Sequence, residues 1–392
     1  MPRSEEPMDQ ETPRGGHPTG QLPELRLDQQ ALEHNVRLMA DWCRDHHVEL
    51  APHIKTTMTH SIVERQLAAG AWGVTVATVT QARIALGWGA RRVIIANEVV
   101  HPHDLSLLRR WLDEAPGPEL YCFIDSLAGI GLAQPLTAGA RTPLRVLIDV
   151  GTDAGRTGVK GPAEAADLAR AVRAAPGLLL AGVAGFEGVR PNRRDTTTLA
   201  AVDEHCHRTI TVFRSLTALF ETTRPVFSMG GSAFPDRVVH ALTKAARHPD
   251  DLSMVPVLRS GCYVTHDHGT YEHVSRLPGL KAALTVRAVV LSTPEPGRAV
   301  VGAGKRELPY DAGLPVLIAA RDPHGARRPA ATATADQIYD HHLVLTDVRN
   351  LHVGDEVDLG ISHPCSAFDR WPDITVVDSQ GHTRDVWHPR FH

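Results

Sequence analysis

The chain has 392 residues, of which 42% are hydrophobic and 22% charged, a balance typical of folded globular proteins. This length exceeds that of one ordinary core, so we expect two domains. The formal net charge of −4 provides no positive field for nucleic acid, and no apolar run is long enough to form a membrane-spanning helix. We therefore expect neither a nucleic-acid partner nor a membrane location.

The N-terminal segment is polar and rich in Pro and Gly, and it lacks the apolar stretch of a secretory signal. We predict a disordered leader over residues 1–22. The five cysteines are scattered and odd in number: Cys43, Cys122, Cys206, Cys262 and Cys365. Such a set argues against a framework of disulfides and favours a reducing compartment, so we expect a cytoplasmic protein.

Residues 23–275 alternate short apolar runs with amphipathic helical stretches. Eight of these runs read as strands: HVELAPHI, GVTVAT, RRVIIAN, LYCFID, LRVLIDV, LLLAGVAGF, PVFSMGG and VPVLRSGCYV. Continuous apolar strands are typical of a parallel sheet that is covered on both faces. An open doubly wound sheet gives the same alternation, but the count of eight favours a (β/α)8 TIM-type barrel.

The pattern changes after about residue 275. Short β-rich segments, among them LTVRAVVLS, LPVLIAA, HLVLTDV and DEVDLGI, are separated there by Pro, Gly and Asp turns. This pattern predicts a C-terminal, mostly antiparallel β domain over residues 276–392.

The first barrel strand leads directly into Lys55, in the run APHIKTT. Barrel enzymes place their chemistry at the carboxyl ends of the strands, and a partly desolvated lysine there can act as a nucleophile. A lysine at a strand end is more often a solvated surface residue. The interpretation therefore depends on what faces Lys55.

The turn after the seventh strand contains Gly230, Gly231 and Ser232. Such a turn can offer bare backbone N–H groups and a hydroxyl to a phosphate, and the loops after strands seven and eight are the usual phosphate site of this fold. Most Gly-Gly-Ser segments are only turns. Its position opposite a lysine after strand one is what makes a phosphate site a reasonable prediction.

Two further residues could contact the same cofactor. Arg156 lies in the glycine-rich loop after strand five, where its guanidinium could bind an anionic oxygen or take part in a surface ion pair. Tyr263 follows strand eight. It could lie beside the cofactor or belong to the core, and the sequence leaves both possibilities open.

The runs PHIKTT, GTDAGRTGV, SMGGS and RSGCYVTHD together resemble the fold-type III pyridoxal-phosphate enzymes, which have alanine racemase-like barrels. Within that group the chain is similar, over about residues 25–385, to the D-serine dehydratase/D-threonine aldolase family. The resemblance implies that Lys55 holds the cofactor, that the Gly230–Ser232 turn binds its phosphate and that Arg156 lies near its phenolic oxygen. The family often has a tyrosine near the pyridine nitrogen, where this chain has Phe186.

In the β domain, His363 and Cys365 stand two residues apart in the segment GISHPCSAFDRW. Residues at this spacing in extended chain point to one side, and nitrogen and sulfur ligands suit zinc. The segment also resembles the HPC…FD.W signature of the family's metal-dependent branch, so we predict a Zn²⁺ site, with Mn²⁺ or another divalent ion left open. Outer contacts from Asp340-His341-His342, Asp267 or His268 are possible, although the first segment reads better as a solvated turn.

These residues predict a lyase that acts on a β-hydroxy D-amino acid of the D-serine, D-threonine or 3-hydroxyaspartate type. We expect dehydration to a 2-oxo acid and ammonia, with a metal-dependent D-threonine aldolase, which gives glycine and an aldehyde, as the alternative. A racemase, a non-catalytic pyridoxal-phosphate-binding protein and a structural metal module on an unrelated barrel are further alternatives. The preference for D-amino acids is implied by the resemblance, as is a homodimer in which one chain's β domain helps to complete the other's site.

Overall fold

The computed structural model describes residues 20–247 and 253–392, and most of the expected leader, residues 1–19, lies outside them. No helix in these two ranges has the length and apolar character needed to cross a membrane. Eight strands form a first, wholly parallel sheet: β2 Glu49–Leu50, β3 Val74–Val76, β4 Arg92–Glu98, β5 Glu119–Ile124, β6 Leu144–Val150, β7 Leu178–Phe186, β8 Val226–Gly230 and β9 Val255–Arg259.

The eight strands are hydrogen bonded in the order β2-β9-β8-β7-β6-β5-β4-β3, so β2 and β3 are the two ends of a curled sheet. Between these ends the structure has one isolated bridge, His53 to Thr75, and a hydrogen bond of 2.8 Å from Trp72 N to Leu50 O. The predicted barrel is therefore present as an eight-stranded parallel sheet without a continuous ladder at its seam. Pro52 has no N–H to donate and ends β2 after two residues.

Helices connect the parallel strands: α2 His60–Ala68, α3 Val79–Gly87, α4 Pro102–Asp113, α5 Leu127–Thr137, α6 Pro162–Ala174, α7 Thr196–Ser215 and α8 Pro235–Ala246. A further helix, α1 Gln29–Asp45, leads into β2, and the short α9 Thr270–Val274 follows β9. Their starts follow local chemistry. The Asp28 carboxylate accepts a hydrogen bond from Ala31 N, and the Asp195 carboxylate accepts one from Thr198 N. α4, α6 and α8 begin at proline, whose missing N–H costs nothing in the first turn.

The second sheet has nine strands: β1 Glu24–Asp28, β10 Leu284–Ser292, β11 Ala299–Val301, β12 Val316–Arg321, β13 Thr332–Ile338, β14 Leu343–Arg349, β15 Glu356–Gly360, β16 Ile374–Val377 and β17 Thr383–Trp387. Its main order is β13-β14-β11-β10-β1-β16-β17, and β15 pairs with both β10 and β12. Every pair is antiparallel except β1 with β16.

Strand β1 does not join the first sheet, although the sequence analysis includes its residues in the barrel domain. It lies between β10 and β16, with Leu25 opposite Val286 and Leu27 opposite Val376. Leu25 and Leu27 are fully buried, because an interior strand of this sheet is covered on its apolar face. The barrel begins with α1, after the chain has completed one strand of the second sheet.

Candidate active site

The carboxyl ends of the parallel strands surround a cavity of about 290 Å³. Three of the residues predicted for the cofactor site line it, namely Lys55, Arg156 and Gly230. The cavity is also lined by side chains that carry charge or an aromatic ring: His53, Glu98, Phe123, Asp149, Phe186 and Arg259. The end of the sheet at which barrel enzymes carry their chemistry is thus the end where these predicted residues meet.

Lys55 lies in a single 3-10 turn, Ile54–Thr56, that directly follows β2. The turn is anchored by His53, whose backbone N–H donates to Ser260 O at 3.0 Å. The His53 pKa lies well below its ordinary value because of burial and, secondarily, the nearby charges of Lys55 and Arg259. His53 is therefore a neutral imidazole, and the exposed Lys55 side chain lines the cavity beside it.

The turn after β8 meets the loop after β9 and forms a set of hydrogen-bond donors. The Ser232 hydroxyl accepts hydrogen bonds from the backbone N–H groups of Gly261 at 3.2 Å and Cys262 at 3.1 Å. The Ser260 hydroxyl lies 3.2 Å from it. Both amides are therefore already paired with Ser232 Oγ, and the Ser232 and Ser260 hydroxyls are the groups of this region that can donate to a phosphate oxygen of the expected cofactor.

The glycines of this region allow close packing rather than unusual dihedral angles. A Cβ atom on Gly230 would lie 3.1 Å from the Phe186 ring, and one on Gly261 would lie 2.6 Å from His53 O. A Cβ on Gly231 would collide with the carboxylate of Glu187. The Gly230–Ser232 turn therefore rests against a buried acid, Glu187, that was not among the predicted site residues.

Glu187 is completely buried at the end of β7, and neither of its carboxylate oxygens has a hydrogen-bond partner among the described residues. Burial raises its pKa to about 8. The side chain is thus mainly a neutral carboxylic acid at pH 7. Its position in the run GFEG gave no signal of this, because burial of a single side chain cannot be read from a short turn.

Arg259, the last residue of β9, lies beneath the cavity and is fully buried. Its guanidinium donates to the Ser228 hydroxyl at 2.7 Å and to Gly185 O at 2.8 Å, and it lies 5.1 Å from the centre of the Phe123 ring. Burial lowers the Arg259 pKa to about 10, so the group is still charged at neutral pH. An arginine that ends a continuous apolar strand was the available sequence signal for this residue.

Arg156 lies on the exposed loop after β6, with its guanidinium 5.2 Å from the centre of the Phe186 ring. Two acids line the same side of the cavity. Burial and the nearby charge of Asp149 raise the pKa of Glu98 to about 7, and the Asp149 carboxylate accepts a hydrogen bond of 2.7 Å from the Thr157 hydroxyl. Phe186 itself offers no polar atom to a pyridine nitrogen, in keeping with the departure noted in the sequence.

Tyr263 does not line the cavity. The structure places it in the core, where its buried hydroxyl accepts a hydrogen bond of 3.0 Å from Gln66 Nε2. Of the two interpretations that the sequence left open, its geometry is that of a core tyrosine. The residue follows a turn, and the direction of a side chain after a turn is not set by strand alternation.

His363 and Cys365 lie beside the Lys55 turn and face Cys262 from the β9 loop. The Sγ atoms of Cys262 and Cys365 are 3.2 Å apart, and the Thr56 hydroxyl lies 3.4 Å from Cys365 Sγ. The potential ligand atoms of the two cysteines and His363 all lie within 4.8 Å of one another. We name these three residues the Cys-His-Cys cluster; Cys262 was not among the predicted metal ligands.

Hydrogen bonds orient the Cys-His-Cys cluster. His363 Nδ1 lies 2.7 Å from Asp311 Oδ2, which leaves the other ring nitrogen for an ion, as in many metal sites. Burial opposes a charge on His363, but its contacts with Cys365 and Asp311 raise its pKa to about 9. The hydrogen bond from Cys262 and the contact with His363 hold the Cys365 pKa well below its ordinary value. A thiolate is the form of cysteine that binds a metal.

The other suggested outer contacts do not join this cluster. His341 pairs with Glu307 at 2.7 Å on the surface, as expected for a solvated turn. The Asp267 carboxylate accepts hydrogen bonds from the backbone N–H groups of Gly269 and Tyr271, so it holds the local chain. Within residues 20–247 and 253–392, the Cys-His-Cys cluster is the one group of three or more such side chains with metal-binding spacing.

The sequence matches two family models. Residues 27–235 match the alanine racemase N-terminal domain, and residues 283–377 match the putative serine dehydratase domain. D-threonine aldolase of Arthrobacter is 28% identical over 370 residues, which cover 93% of this chain and 91% of that protein.

Solved structures give the same grouping. D-threonine aldolase from Filomicrobium marinum superposes with a TM-score of 0.78 at 26% identity, covering 94% of this chain and 95% of that one. D-threo-3-hydroxyaspartate dehydratase from Delftia has the same fold, with a TM-score of 0.76 at 22% identity and coverage of 95% and 98%, and a cysteine variant of it has been solved in a metal-free form. The chain belongs to the fold-type III pyridoxal-phosphate enzymes, in the group that joins an alanine racemase N-terminal domain to a serine dehydratase domain.

Proposed function

We propose that this protein is a pyridoxal-phosphate-dependent, metal-assisted lyase of β-hydroxy D-amino acids. One observation carries the proposal: Thr56, the neighbour of Lys55, lies 3.4 Å from Cys365 Sγ, so the cofactor lysine adjoins a set of metal ligands. A racemase of this fold has no use for a metal at that point, whereas a lyase that acts on a β-hydroxyl does.

The residues around the cavity fit the cofactor. Lys55 would hold the aldehyde carbon and Arg156 would approach the phenolic oxygen, while Ser232, on the turn that follows Gly230, would donate its hydroxyl to the phosphate. When bound, pyridoxal phosphate supplies an electron sink for the α-carbon of an amino acid. Phe186 and Arg259 flank the remaining space in the cavity.

The chain's own groups then move the protons. After the substrate amine has taken its place, the Lys55 amine is free to accept the α-proton at Nζ, because it stands at the edge of the cavity on a short turn. The neutral imidazole of His53 does not compete for that proton, and the backbone N–H of the same residue anchors the turn. Glu98, with a pKa of about 7, can give or take a proton near Arg156.

His363 and Cys365 would bind the metal, with Asp311 fixing the imidazole. A divalent ion there supplies Lewis acidity to the substrate's β-hydroxyl. A thiolate ligand suits zinc better than it suits manganese or magnesium. We therefore propose zinc, and metal analysis of the purified protein tests this choice.

We propose dehydration to a 2-oxo acid and ammonia as the main reaction. The cysteine in the HPC segment supports it. By resemblance, the aldolases of this family more often have a harder oxygen ligand at the position of that cysteine. Aldol cleavage is the second candidate. It is supported by the similarity to D-threonine aldolase over 93% of the chain, and the relatives' names also support the preference for D-amino acids.

Product analysis with D-threonine distinguishes the two reactions. If the products are ammonia and 2-oxobutanoate, dehydration is supported. If they are glycine and acetaldehyde, the reaction is aldol cleavage instead. Activity on D-serine and on D-threo-3-hydroxyaspartate shows which substrate side chain the protein accepts, and the L-isomers serve as controls. Interconversion of D- and L-isomers without either set of products would contradict the lyase and favour a racemase.

We also propose that the protein is a homodimer. β12 and the residue range before it expose large apolar side chains, with Tyr310 45%, Val316 40% and Ile318 44% accessible. Apolar side chains grouped on one surface are typical of a contact between subunits. Light scattering on the purified protein should give twice the chain mass; a monomer at micromolar concentration would contradict the proposal.

A further inference from the structure

Cys262 has a different environment from three of the other cysteines. Cys43, Cys122 and Cys206 are buried within apolar parts of the core. Such cysteines behave as small hydrophobic side chains. Cys262 is equally buried, but its sulfur faces a second sulfur, with an imidazole and a threonine hydroxyl nearby.

We propose that Cys262 is a third protein ligand of the metal that His363 and Cys365 bind. This inference rests on the proposed metal-assisted function and goes beyond the two ligands that the HPC segment supplies. It assigns the ion a ligand from the barrel in addition to the two from the β domain.

The distances between the ligand atoms support this assignment. Tetrahedral zinc with Zn–S bonds of ~2.3 Å places two sulfur ligands ~3.8 Å apart. The two Sγ atoms stand 3.2 Å apart, and both lie within 4.8 Å of the His363 nitrogen. One ion can therefore contact all three atoms after small side-chain movements. The Asp311 contact directs the free ring nitrogen of His363 towards the same point.

The loop that carries Cys262 is fixed independently of the metal. The backbone N–H of Cys262 donates to Ser232 Oγ at 3.1 Å, and a side chain on the preceding Gly261 would collide with the Lys55 turn. Cys262 thus presents its backbone to the Gly230–Ser232 turn and its sulfur to the metal. One residue would position the two groups relative to each other.

Three protein ligands leave one position of a tetrahedral zinc ion for the substrate hydroxyl or water, which is the usual arrangement of catalytic zinc. Two thiolates would neutralise the charge of the ion and select a soft metal over Mn²⁺ or Mg²⁺. The ion would also join the barrel to the β domain. Bound metal should therefore raise the unfolding temperature of the whole chain.

Cobalt substitution tests the number of sulfur ligands without measuring activity. Cofactor-loaded protein is stripped of metal with a chelator and titrated with Co²⁺, and the near-ultraviolet sulfur-to-cobalt absorption is recorded. We expect wild type to show about twice the intensity per cobalt of either Cys262→Ala or Cys365→Ala. Cys122→Ala, which removes a buried thiol from β5, is the matched control and should retain the wild-type intensity.

Zinc X-ray absorption of the wild-type holoenzyme gives a second measurement that does not depend on whether a variant folds. Two sulfur neighbours support the inference, and one sulfur neighbour overturns it, as does a Cys262→Ala variant with wild-type cobalt absorption. A wild-type protein that takes up neither cobalt nor zinc would contradict the proposed metal-assisted function itself. The two failures are thus distinguishable.

Discussion

The hydroxyl of Thr56 lies 3.4 Å from the sulfur of Cys365, although 309 residues separate the two in the chain. Thr56 follows Lys55, the proposed cofactor lysine, and Cys365 belongs to the proposed metal-binding segment. This contact brings the two halves of the proposed chemistry, at the α-carbon and at the β-hydroxyl, within the length of one small substrate. The predictions below separate the contributions of these two halves.

Lys55→Ala should abolish turnover and covalent attachment of the cofactor while leaving the fold intact, because an exposed lysine on a short turn contributes little packing. Borohydride reduction followed by peptide mass analysis identifies the modified lysine in wild type. Lys244→Ala, which changes an exposed lysine on α8, is the matched control. Labelling of a lysine other than Lys55 would contradict the assigned site.

Removal of the metal should abolish activity and leave the cofactor bound. We expect about one zinc per chain in the purified protein and the same loss of activity on chelation, in His363→Ala and in Cys365→Ala. Metal analysis, activity and the cofactor's absorption are measured on the same samples. Full activity after complete removal of zinc would return His363 and Cys365 to a structural role.

Asp311→Asn should weaken metal binding without removing a ligand. The carboxylate holds His363 Nδ1 at 2.7 Å, and loss of such an orienting partner typically reduces metal affinity by ~10–100-fold. Competition with a chromophoric chelator measures the change. Asp340→Asn, on the solvated turn, should have no effect; equal affinity in both variants would show that Asp311 does not orient the imidazole.

Ser232→Ala should raise the Kd for pyridoxal phosphate by roughly fivefold, since it removes one hydrogen-bonding group worth ~1 kcal/mol from the proposed phosphate site. It should also lower the unfolding temperature of the cofactor-free protein, because the amides of Gly261 and Cys262 lose their acceptor. Gly231→Val should affect folding as well, because its side chain collides with Glu187. Cofactor titration and thermal unfolding are measured together, and an unchanged Kd in Ser232→Ala would place the phosphate elsewhere.

Glu187→Gln should change how stability depends on pH. The folded-state pKa of about 8 lies above the ordinary value of 4.5, so the folded protein binds the proton more tightly than the unfolded chain. The free energy of unfolding of wild type should therefore fall, relative to the variant, as the pH rises from about 4.5 to 8. The relative loss can reach roughly 5 kcal/mol.

Urea unfolding of both proteins at pH 5 and pH 9 measures this difference. The variant should gain stability over wild type at the higher pH, because its amide carries no charge to bury. Curves that differ by the same amount at both values would show that Glu187 is not a buried titrating acid. Glu164→Gln, on the exposed start of α6, is a matched control.

The parallel strands were predictable because each is a continuous apolar run, and the carboxyl ends of such strands must meet at one edge. This rule predicts that Lys55, Arg156 and Gly230 lie close together, and all three line one cavity. Cys262 was not predicted as a candidate ligand, because its partners His363 and Cys365 belong to the other domain. Contacts between domains leave no periodic pattern in a sequence, so the role of a single cysteine emerges only when both domains are folded.

Strand β1 could not be assigned for a related reason. It has five residues, and its neighbours β10 and β16 lie in the last third of the chain. A short alternating segment fits either sheet, and only the pairing of distant segments decides between them. The seam between β2 and β3 was equally unreadable, because a count of eight strands does not reveal how many hydrogen bonds close the sheet.

The position of β1 also determines the order in which the protein can be completed during its synthesis. β1 leaves the ribosome before any part of the barrel, but both of its partner strands are made only near the end. Until then its backbone has two open edges, which can attract other chains. The barrel helices and strands can form meanwhile, whereas the second sheet is complete only after β17, which ends at residue 387. A fragment that starts at residue 276 would lack an interior strand, so the C-terminal domain should not be separable at that boundary.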